Sequence, residues 1–530
     1  MADSHSSSSV NMKEKTVEKE PSAAPPLETV NTLGTATFED VRLTELGYIP
    51  SFRRTRSTAT ILFMTLAIAA IPFGIGSPLM VGLIGGGPLA LFVGLFVVSI
   101  LDGAVAVSLA ELAARYPTSA GPYYWTFQIA STSSNMAAEG MPRLLSYLNG
   151  WIWLIGNWTI TLSVNFGFAS LIAATVTMYN PDWTATEWEL LLIFYAICLM
   201  TLLICFLGDR ILPMVDTFAA TATLITVVAV AIALGVTAKA GRRSAGYALG
   251  HYDASFSGYP DGFAFFIGLL PPAYTFSAIG MISSMAEECH KPESQVPTAI
   301  IWTIPIGAAA ALIFLLPILF TLPPMEDILA APNGQALPYI VYTVMGNRAG
   351  AAIIMTLVFV VTLFCSISVT TTASRCTFAF ARDKTIPLWS LWSKMHYGQP
   401  LAALILVTVV QMLLGLINLG STSAFTAFVS VGVVALALGY LVPISTSFLS
   451  GRKQVSEAAW TAGPLLGSIC NVVAITWILF EVVLFSMPVA IPVTPASMNY
   501  ASVVQVGFAV IGVVFYYCYG RKYFKGPGVS

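Results

Sequence analysis

From position 58 onward the chain is a succession of apolar runs divided by short polar stretches. Runs of about 20 apolar residues are long enough to cross a bilayer as helices. The pattern predicts twelve spans, at 58–84, 88–114, 144–178, 187–207, 210–236, 262–287, 297–322, 349–381, 400–419, 423–449, 460–487 and 499–520. Two of them are interrupted by helix breakers at matching depth. The first contains Ile71-Pro72-Phe73-Gly74-Ile75-Gly76-Ser77-Pro78, and the sixth runs from Leu270-Pro271-Pro272-Ala273-Tyr274 to Ala278-Ile279-Gly280. One interrupted span reads as a packing kink, since Gly and Pro are common in membrane helices. Two of them five spans apart read as the halves of an inverted repeat with a binding site at the membrane centre. Bare backbone at that depth is tolerated only where it is buried in protein or lines a cavity.

The predicted fold class is therefore an all-α integral membrane protein: twelve transmembrane helices, a five-plus-five inverted repeat with helices 1 and 6 broken, and two peripheral helices. The expected divisions are a cytosolic tail at 1–57, a first repeat at 58–236, a second at 262–449, spans 11 and 12 at 460–520, and a cytosolic C-terminal tail at 521–530. The first tail is polar and expected to be disordered to about Thr37. An amphipathic piece at 38–49 then leads to Arg53, Arg54 and Arg56. No apolar stretch follows the Ser-rich first residues. A cleavable signal peptide is not expected, and the first span is expected to direct insertion.

Composition agrees. Of 530 residues 56% are hydrophobic and 9% charged, with mean hydropathy +0.79; a soluble domain carries roughly 25% charged residues. No basic cluster of the kind nucleic-acid binding requires is present. The seven cysteines, odd in number and mostly within apolar runs, read as packing residues rather than a disulfide framework. Of the 24 Lys and Arg, all but Lys239, Arg242, Arg243 and Arg348 fall on one side of the predicted topology. The positive-inside rule then puts both termini in the cytosol.

Breaking a helix frees amides on one side and carbonyls on the other, so a zwitterion fits between two breaks without any charged side chain. The candidate substrate-binding residues are Phe73, Gly74, Ile75, Gly76 and Ser77 of span 1, with Tyr274, Phe276, Ala278 and Gly280 of span 6. Aromatic faces there suit an ammonium; the plainer reading of Tyr274 and Phe276 is core packing. In span 3, Asn157 and Asn165 are expected to bond between helices. Acids inside spans are functional candidates by default. Asp102 in span 2 is the deepest within the repeats and the first candidate for proton coupling, a neutral structural lock being the alternative. Asp216 lies in the inner part of span 5. Glu481 in span 11 is expected to serve packing or oligomer contact. Charges gather at the inner ends of the spans, and Arg54, Glu287 and Arg382 are the candidates for an inner gate of ion pairs, against plain anchoring for the arginines. His290 beside Cys289 and Glu288 has no second ligand cluster, so neither a metal nor a cofactor is expected. No His/Cys/Asp grouping at catalytic spacing suggests an enzyme.

The order of motifs is itself specific: Gly74-Ile75-Gly76, Gly86-Gly87-Pro88, Ser108-Leu109-Ala110-Glu111, Pro117-Thr118-Ser119-Ala120-Gly121-Pro122-Tyr123-Tyr124-Trp125, Met285-Ala286-Glu287-Glu288, Val296-Pro297, Ser374-Arg375, Ala379-Phe380-Ala381-Arg382-Asp383-Lys384, Pro492-Val493-Thr494-Pro495 and Gly520-Arg521-Lys522-Tyr523. Over residues 40–527 the chain resembles the amino acid–polyamine–organocation superfamily, in its fungal branch of GABA, choline and amino-acid permeases. The resemblance implies alternating-access transport of a small amino acid, GABA-like compound or amine, driven by protons, across the plasma membrane, with the vacuolar membrane as alternative. It also implies that a hydroxyl pair in span 8, here Ser368 and Thr371, is placed to hold sodium with carbonyls of span 1. Bonding of those hydroxyls to their own helix is the alternative, and sodium ranks behind the proton as partner. Span 5 holds no Lys to stand in for sodium. The chain departs from the family in span 6. Ala278-Ile279-Gly280 occupies positions where many relatives carry an acid, and Ser284 stands where a His is common. That departure motivates a second reading, an exporter or antiporter of a specialised metabolite; a nutrient sensor is a third. Lys13, Lys15 and Lys19 are candidate sites for the ubiquitin machinery.

Overall fold

Ser57 opens span 1, its hydroxyl accepting from the Thr60 amide while the Thr60 hydroxyl accepts from the Ser57 amide. Such a reciprocal cap satisfies two of the amides that a helix start leaves without partners. Span 8 begins with a simpler cap, the Asn347 side chain accepting from the Ala349 amide at 3.0 Å. The computed structural model describes residues 37–529 apart from 134–135, 137–139, 208–211, 397, 421–423 and 495–497, and apart from the side chains of 424–426, 428 and 429. The sequence expectations for residues 1–36 (Lys13, Lys15 and Lys19 included), for the tight connection at 208–210 and for Pro495 lie outside the described residues.

Among the described residues, twelve helices are long and apolar enough to cross a membrane. Spans 1 to 6 are Thr58–Gly76, Gly87–Arg115, Met141–Tyr179, Glu187–Leu207, Leu212–Thr237 and Asp261–Glu288. Spans 7 to 12 are Pro292–Phe320, Arg348–Arg382, Leu401–Leu419, Ser430–Leu449, Pro464–Leu484 and Ala501–Tyr523. The protein is an all-α multi-pass membrane protein, a five-plus-five inverted repeat with spans 1 and 6 broken and spans 11 and 12 packed outside. Span 3 is the central post, with 89% of its apolar window buried inside the protein against 22% for span 12, which faces outward. Span 7 begins earlier than its apolar run suggests. Pro292 takes the first turn, where a missing N–H is harmless, and Pro297 sits inside the helix with Pro305 and Pro317.

Shorter helices cover the ends. Phe38–Glu45 is capped by Thr37 and Asp40 in the same reciprocal way as span 1 and stops before Gly47, whose φ is +90°. Pro122–Thr132, between spans 2 and 3, is a largely buried helix led by Tyr123, Tyr124 and Trp125. All seven cysteines are free, and all but Cys518 are buried.

Candidate functional site

The break in span 1 starts one residue before the Pro/Gly run, at Ala70, which adopts left-handed φ 40°, ψ 56°. For an L-residue this costs roughly 1–2 kcal/mol. The cause is next in sequence. Pro72 has no N–H to give the Ile68 carbonyl one turn back. That carbonyl instead accepts from the Cys365 thiol of span 8 at 3.3 Å. The amides of Phe73 and Gly74 both turn to the Ala70 carbonyl at 2.8 Å. The helical donor of the Ala69 carbonyl is thereby diverted.

In span 6, helical turns at Asp261–Ile267 and Leu270–Phe276 give way, after Ser277 and Ala278, to a ten-residue 3₁₀ stretch, Ile279–Glu288. So long a 3₁₀ run is uncommon and marks a hinge or a strained segment. Its opening is held by Tyr440 of span 10. The Tyr440 hydroxyl accepts from the Gly280 amide at 3.2 Å and donates to the Ser277 carbonyl at 3.0 Å.

The two breaks touch. A Cβ on Gly74 would lie 2.7 Å from Thr275 Oγ1 and 2.8 Å from the Ala69 carbonyl oxygen, so the crossing requires glycine at this position. Beside it lies a cavity of about 10 Å³, lined by Ala69, Phe73, Gly74, Tyr274, Ala278 and Cys365, with Ile68, Ile160, Val164 and Val369 completing an apolar wall. A space of that size takes one water at most. The Phe73 and Tyr274 rings meet at 6.3 Å in an edge-on arrangement, and the Tyr274 hydroxyl lies 3.0 Å from Ser163 of span 3.

The structure thus brings Phe73, Gly74, Tyr274 and Ala278 to one cavity. The other five candidates are elsewhere. Gly76 packs under Leu337 and Gly280 under the Tyr440 ring. Ile75 and Ser77 are buried in the core, and Phe276 lines a separate cavity with Asp102. Amides freed by the break in span 6 were expected to face a ligand; Gly280's faces Tyr440 instead.

The hydroxyls of span 8 are distributed differently from the expectation. Thr371 Oγ1 lies 3.5 Å from Cys205 Sγ of span 4, and Ser368 lies by Asp216 of span 5. The span 8 side chain that reaches a span 1 carbonyl is Cys365. Asn165 bonds between helices as expected, donating to Gln411 of span 9 at 2.7 Å and accepting from Ser366 of span 8. Asn157 instead donates to the Trp153 carbonyl of its own helix at 2.8 Å.

The face on which span 1 begins is sealed by ion pairs. Arg382 makes a two-toothed bond to Glu287, at 3.0 and 2.8 Å, and stacks 4.0 Å over the Tyr48 ring. Arg54 turns outward to Asp40 at 3.1 Å and donates to the Cys289 carbonyl at 2.8 Å. The buried centre is Arg56, 1% exposed, which pairs with Asp216 and with Glu288, while Arg375 holds the other Glu288 oxygen at 2.8 Å. Burial pushes the Arg56 guanidinium toward neutrality, but the charges of Asp216 and Glu288 outweigh it and hold it more firmly charged than in water. Asp216 is therefore an ion-pair partner, which the sequence reading could not see across 160 positions. Asp383 accepts from Tyr48 and Tyr123 at 2.9 and 2.7 Å and from the Gly528 amide at 3.3 Å, tying both chain ends to this face.

Two interrupted helices crossing at mid-membrane beside a closed cavity, with a belt of ion pairs over one mouth, are the architecture of a secondary transporter of the inverted-repeat class. Comparison with known proteins gives the family. Residues 56–511 match the amino acid permease family model, and the chain belongs to that family. It is 26% identical to the choline transporter of Saccharomyces cerevisiae, covering 89% of this chain and 82% of that one. It is 28% identical to the amino-acid permease BAT1 of Arabidopsis thaliana, over 92% and 96% of the two chains. Against the GABA-specific permease of S. cerevisiae identity is 27%, over 92% and 85%. The chain is a transporter of this family.

Proposed function

We propose that the protein imports a small amino acid, GABA-like compound or amine by proton-coupled alternating access. In this reading it lies in the plasma membrane with both termini cytosolic, and spans 1–5 and 6–10 are its two moving units. One observation carries the proposal: the cavity where the two breaks cross, lined by Phe73, Gly74, Tyr274 and Ala278. It has no charged side chain, so an ammonium there is met by the Phe73 and Tyr274 rings and by the Ala69 carbonyl. The cavity must widen to admit a substrate, and the diverted backbone at Ala70 and Ala278 is where it gives. Arg54, Glu287 and Arg382, with Arg56, Glu288 and Arg375 behind them, form the inner gate, breaking and remaking ion pairs between two states. Asp102 is the first coupling residue; Ser368 and Thr371 are the weaker candidates, since neither meets a span 1 carbonyl.

The apolar wall of Ile160, Val164, Val369 and Ala278 favours a second reading, an exporter or antiporter of a less polar metabolite. One experiment separates them: uptake of labelled GABA, choline, polyamines and common amino acids in yeast lacking its own permeases, at acid and neutral pH, with and without a protonophore. Saturable, acid-stimulated, protonophore-sensitive uptake of one compound is the expected result. No uptake from a protein shown to be at the cell surface sinks the importer reading.

A further inference from the structure

A second cavity, again of about 10 Å³, lies on the other side of the span 6 break. Asp102 of span 2, Phe276 and Ser277 of span 6, Tyr440 of span 10 and Glu481 of span 11 face it, with aliphatic side chains closing the rest. Asp102 is 6% exposed and Glu481 4%. One oxygen of Asp102 accepts from the Trp477 indole at 2.8 Å. Its other oxygen, Oδ2, is buried without a partner among the described residues. Among the described residues no Lys, Arg or His faces the cavity, and its other titratable group, the Tyr440 hydroxyl, is committed to Gly280 and Ser277. Charges farther along span 2 and before span 11 pair among themselves, Glu111 with Arg452 at 2.8 Å and Arg115 with Glu457 at 2.6 Å. Two carboxylates facing one water-sized space with no cation in its wall repel each other when both are charged.

We propose that Asp102 and Glu481 share one proton across this cavity, forming a paired-carboxylate proton site that is loaded and unloaded during transport. Loading forms an O–H bond on one carboxyl, which the other accepts as a hydrogen bond. Unloading breaks that bond and passes the proton to water, leaving two carboxylates that only an opened, hydrated cavity tolerates. Protonation and closure are thereby one event. A metal cation fits less well, since hard cations take six or more oxygens. Beyond the two carboxylates, one oxygen of which is held by the Trp477 indole, the wall's side chains offer only the Ser277 and Tyr440 hydroxyls.

The site connects to the substrate cavity through span 6. Tyr274 and Ala278 line one cavity, Phe276, Ser277 and Ile279 the other. A ligand that displaces this segment changes the acid pair's enclosure, and by reciprocity the bound proton biases the segment. Span 11, outside the ten-helix core, thus supplies half of the proton site. It is docked there by Asn471, which accepts from Ser108 at 2.8 Å, and by Trp477.

The inference rests on the proton-coupled reading, but its test needs no substrate. Infrared spectra of the purified full-length protein are titrated with base, following the protonated-carboxyl C=O band in wild type, Asp102→Asn, Glu481→Gln and the double variant. Gel filtration verifies that each is folded. The expected result is a wild-type band that is absent from the double variant, with each single variant shifting its midpoint by about tenfold or more in proton affinity. Glu481→Asp restores the wild-type behaviour in part. Carboxyls that survive the double variant, Asp383 among them, cancel in the difference. A null difference overturns the proposal, as does an Asp102 band that ignores Glu481→Gln. A wild type without the band, whose carboxylate bands respond to sodium but not to choline chloride, overturns it in favour of a cation site. A normal band with no acid-stimulated uptake would instead remove the importer reading and leave the acid pair standing.

Discussion

Asp216 and Asp102 are both aspartates buried inside apolar spans, and their surroundings are opposite. Asp216 meets Arg56, which also holds Glu288, which in turn holds Arg375. Asp102 meets an indole, a second acid and no cation. The first arrangement keeps its charges by neutralising them in a chain, and it crosslinks the tail before span 1 to spans 5, 6 and 8. The second has no counter-charge among the described residues, and this is what carries its proposed role as a proton site. Burial alone therefore does not mark a coupling residue; the partner does.

That contrast can be broken experimentally. The largest effect is expected for Arg56→Ala, which strands the buried Asp216 and leaves Glu288 to Arg375 alone. Removing one partner of a buried pair costs about 3–5 kcal/mol. Thermal unfolding in detergent should fall accordingly, and Cys289, now buried under Arg56, should become open to alkylation. Unchanged alkylation would mean the belt does not seal this face. Tyr440→Phe comes next. It leaves the Gly280 amide and the Ser277 carbonyl without the shared hydroxyl, at about 1–3 kcal/mol for each buried group. Uptake should drop while the protein still reaches the membrane, and wild-type uptake would remove Tyr440 from the hinge. Gly74→Ala drives a Cβ into Thr275 and the Ala69 carbonyl; such overpacking costs about 1–3 kcal/mol. It is expected to abolish uptake, and a fully active variant would show that the breaks separate freely.

Asp383, beyond the end of span 8, gives the smallest effect, and a pH-dependent one. Burial raises its carboxyl to about 6, against the lowering influence of Arg382 and the two tyrosine hydroxyls. A group raised in the folded state stabilises it fully below the unfolded value of 3.8 and loses that contribution as pH rises through about 6. The slope is about 1.4 kcal/mol per pH unit inside that window. Thermal unfolding in detergent should move to higher temperature on acidification toward the lower end of the window. Asp383→Asn should erase the change, and an equal change in the variant would place the sensor elsewhere.

Much of the architecture was legible because lipid leaves few choices. The lengths of the apolar runs gave the spans, and Pro72 with the Pro271-Pro272 pair marked which two are broken, although span 6 leaves the α-helix only after Phe276. The charges destined for the belt, Arg56, Glu287, Glu288, Arg375 and Arg382, were visible as a group at the span ends. Their pairing was not, because it depends on contacts between residues 87 to 232 positions apart. Ala70 carries no sign that it will turn left-handed; the strain belongs to Pro72 two residues on. Cys365 read as a packing residue, which it is, and nothing local shows that its thiol serves the Ile68 carbonyl. Glu481 had a usable signal. Asn471, Ala474, Ile478 and Glu481 recur at helical spacing on one buried face, so the acid was bound to point inward rather than toward another subunit. Asp102 was legible as an isolated acid, and its partner was not.

The most direct test of the account compares the two aspartates' worlds through transport. It is the initial uptake rate of the compound found in the panel, at acid and neutral pH, in wild type and in Asp102→Asn, with surface protein quantified. The account predicts acid stimulation in wild type and its loss in Asp102→Asn, with substrate binding retained. Stimulation by the same factor in Asp102→Asn would contradict it, and the coupling proton would have to be sought away from span 2.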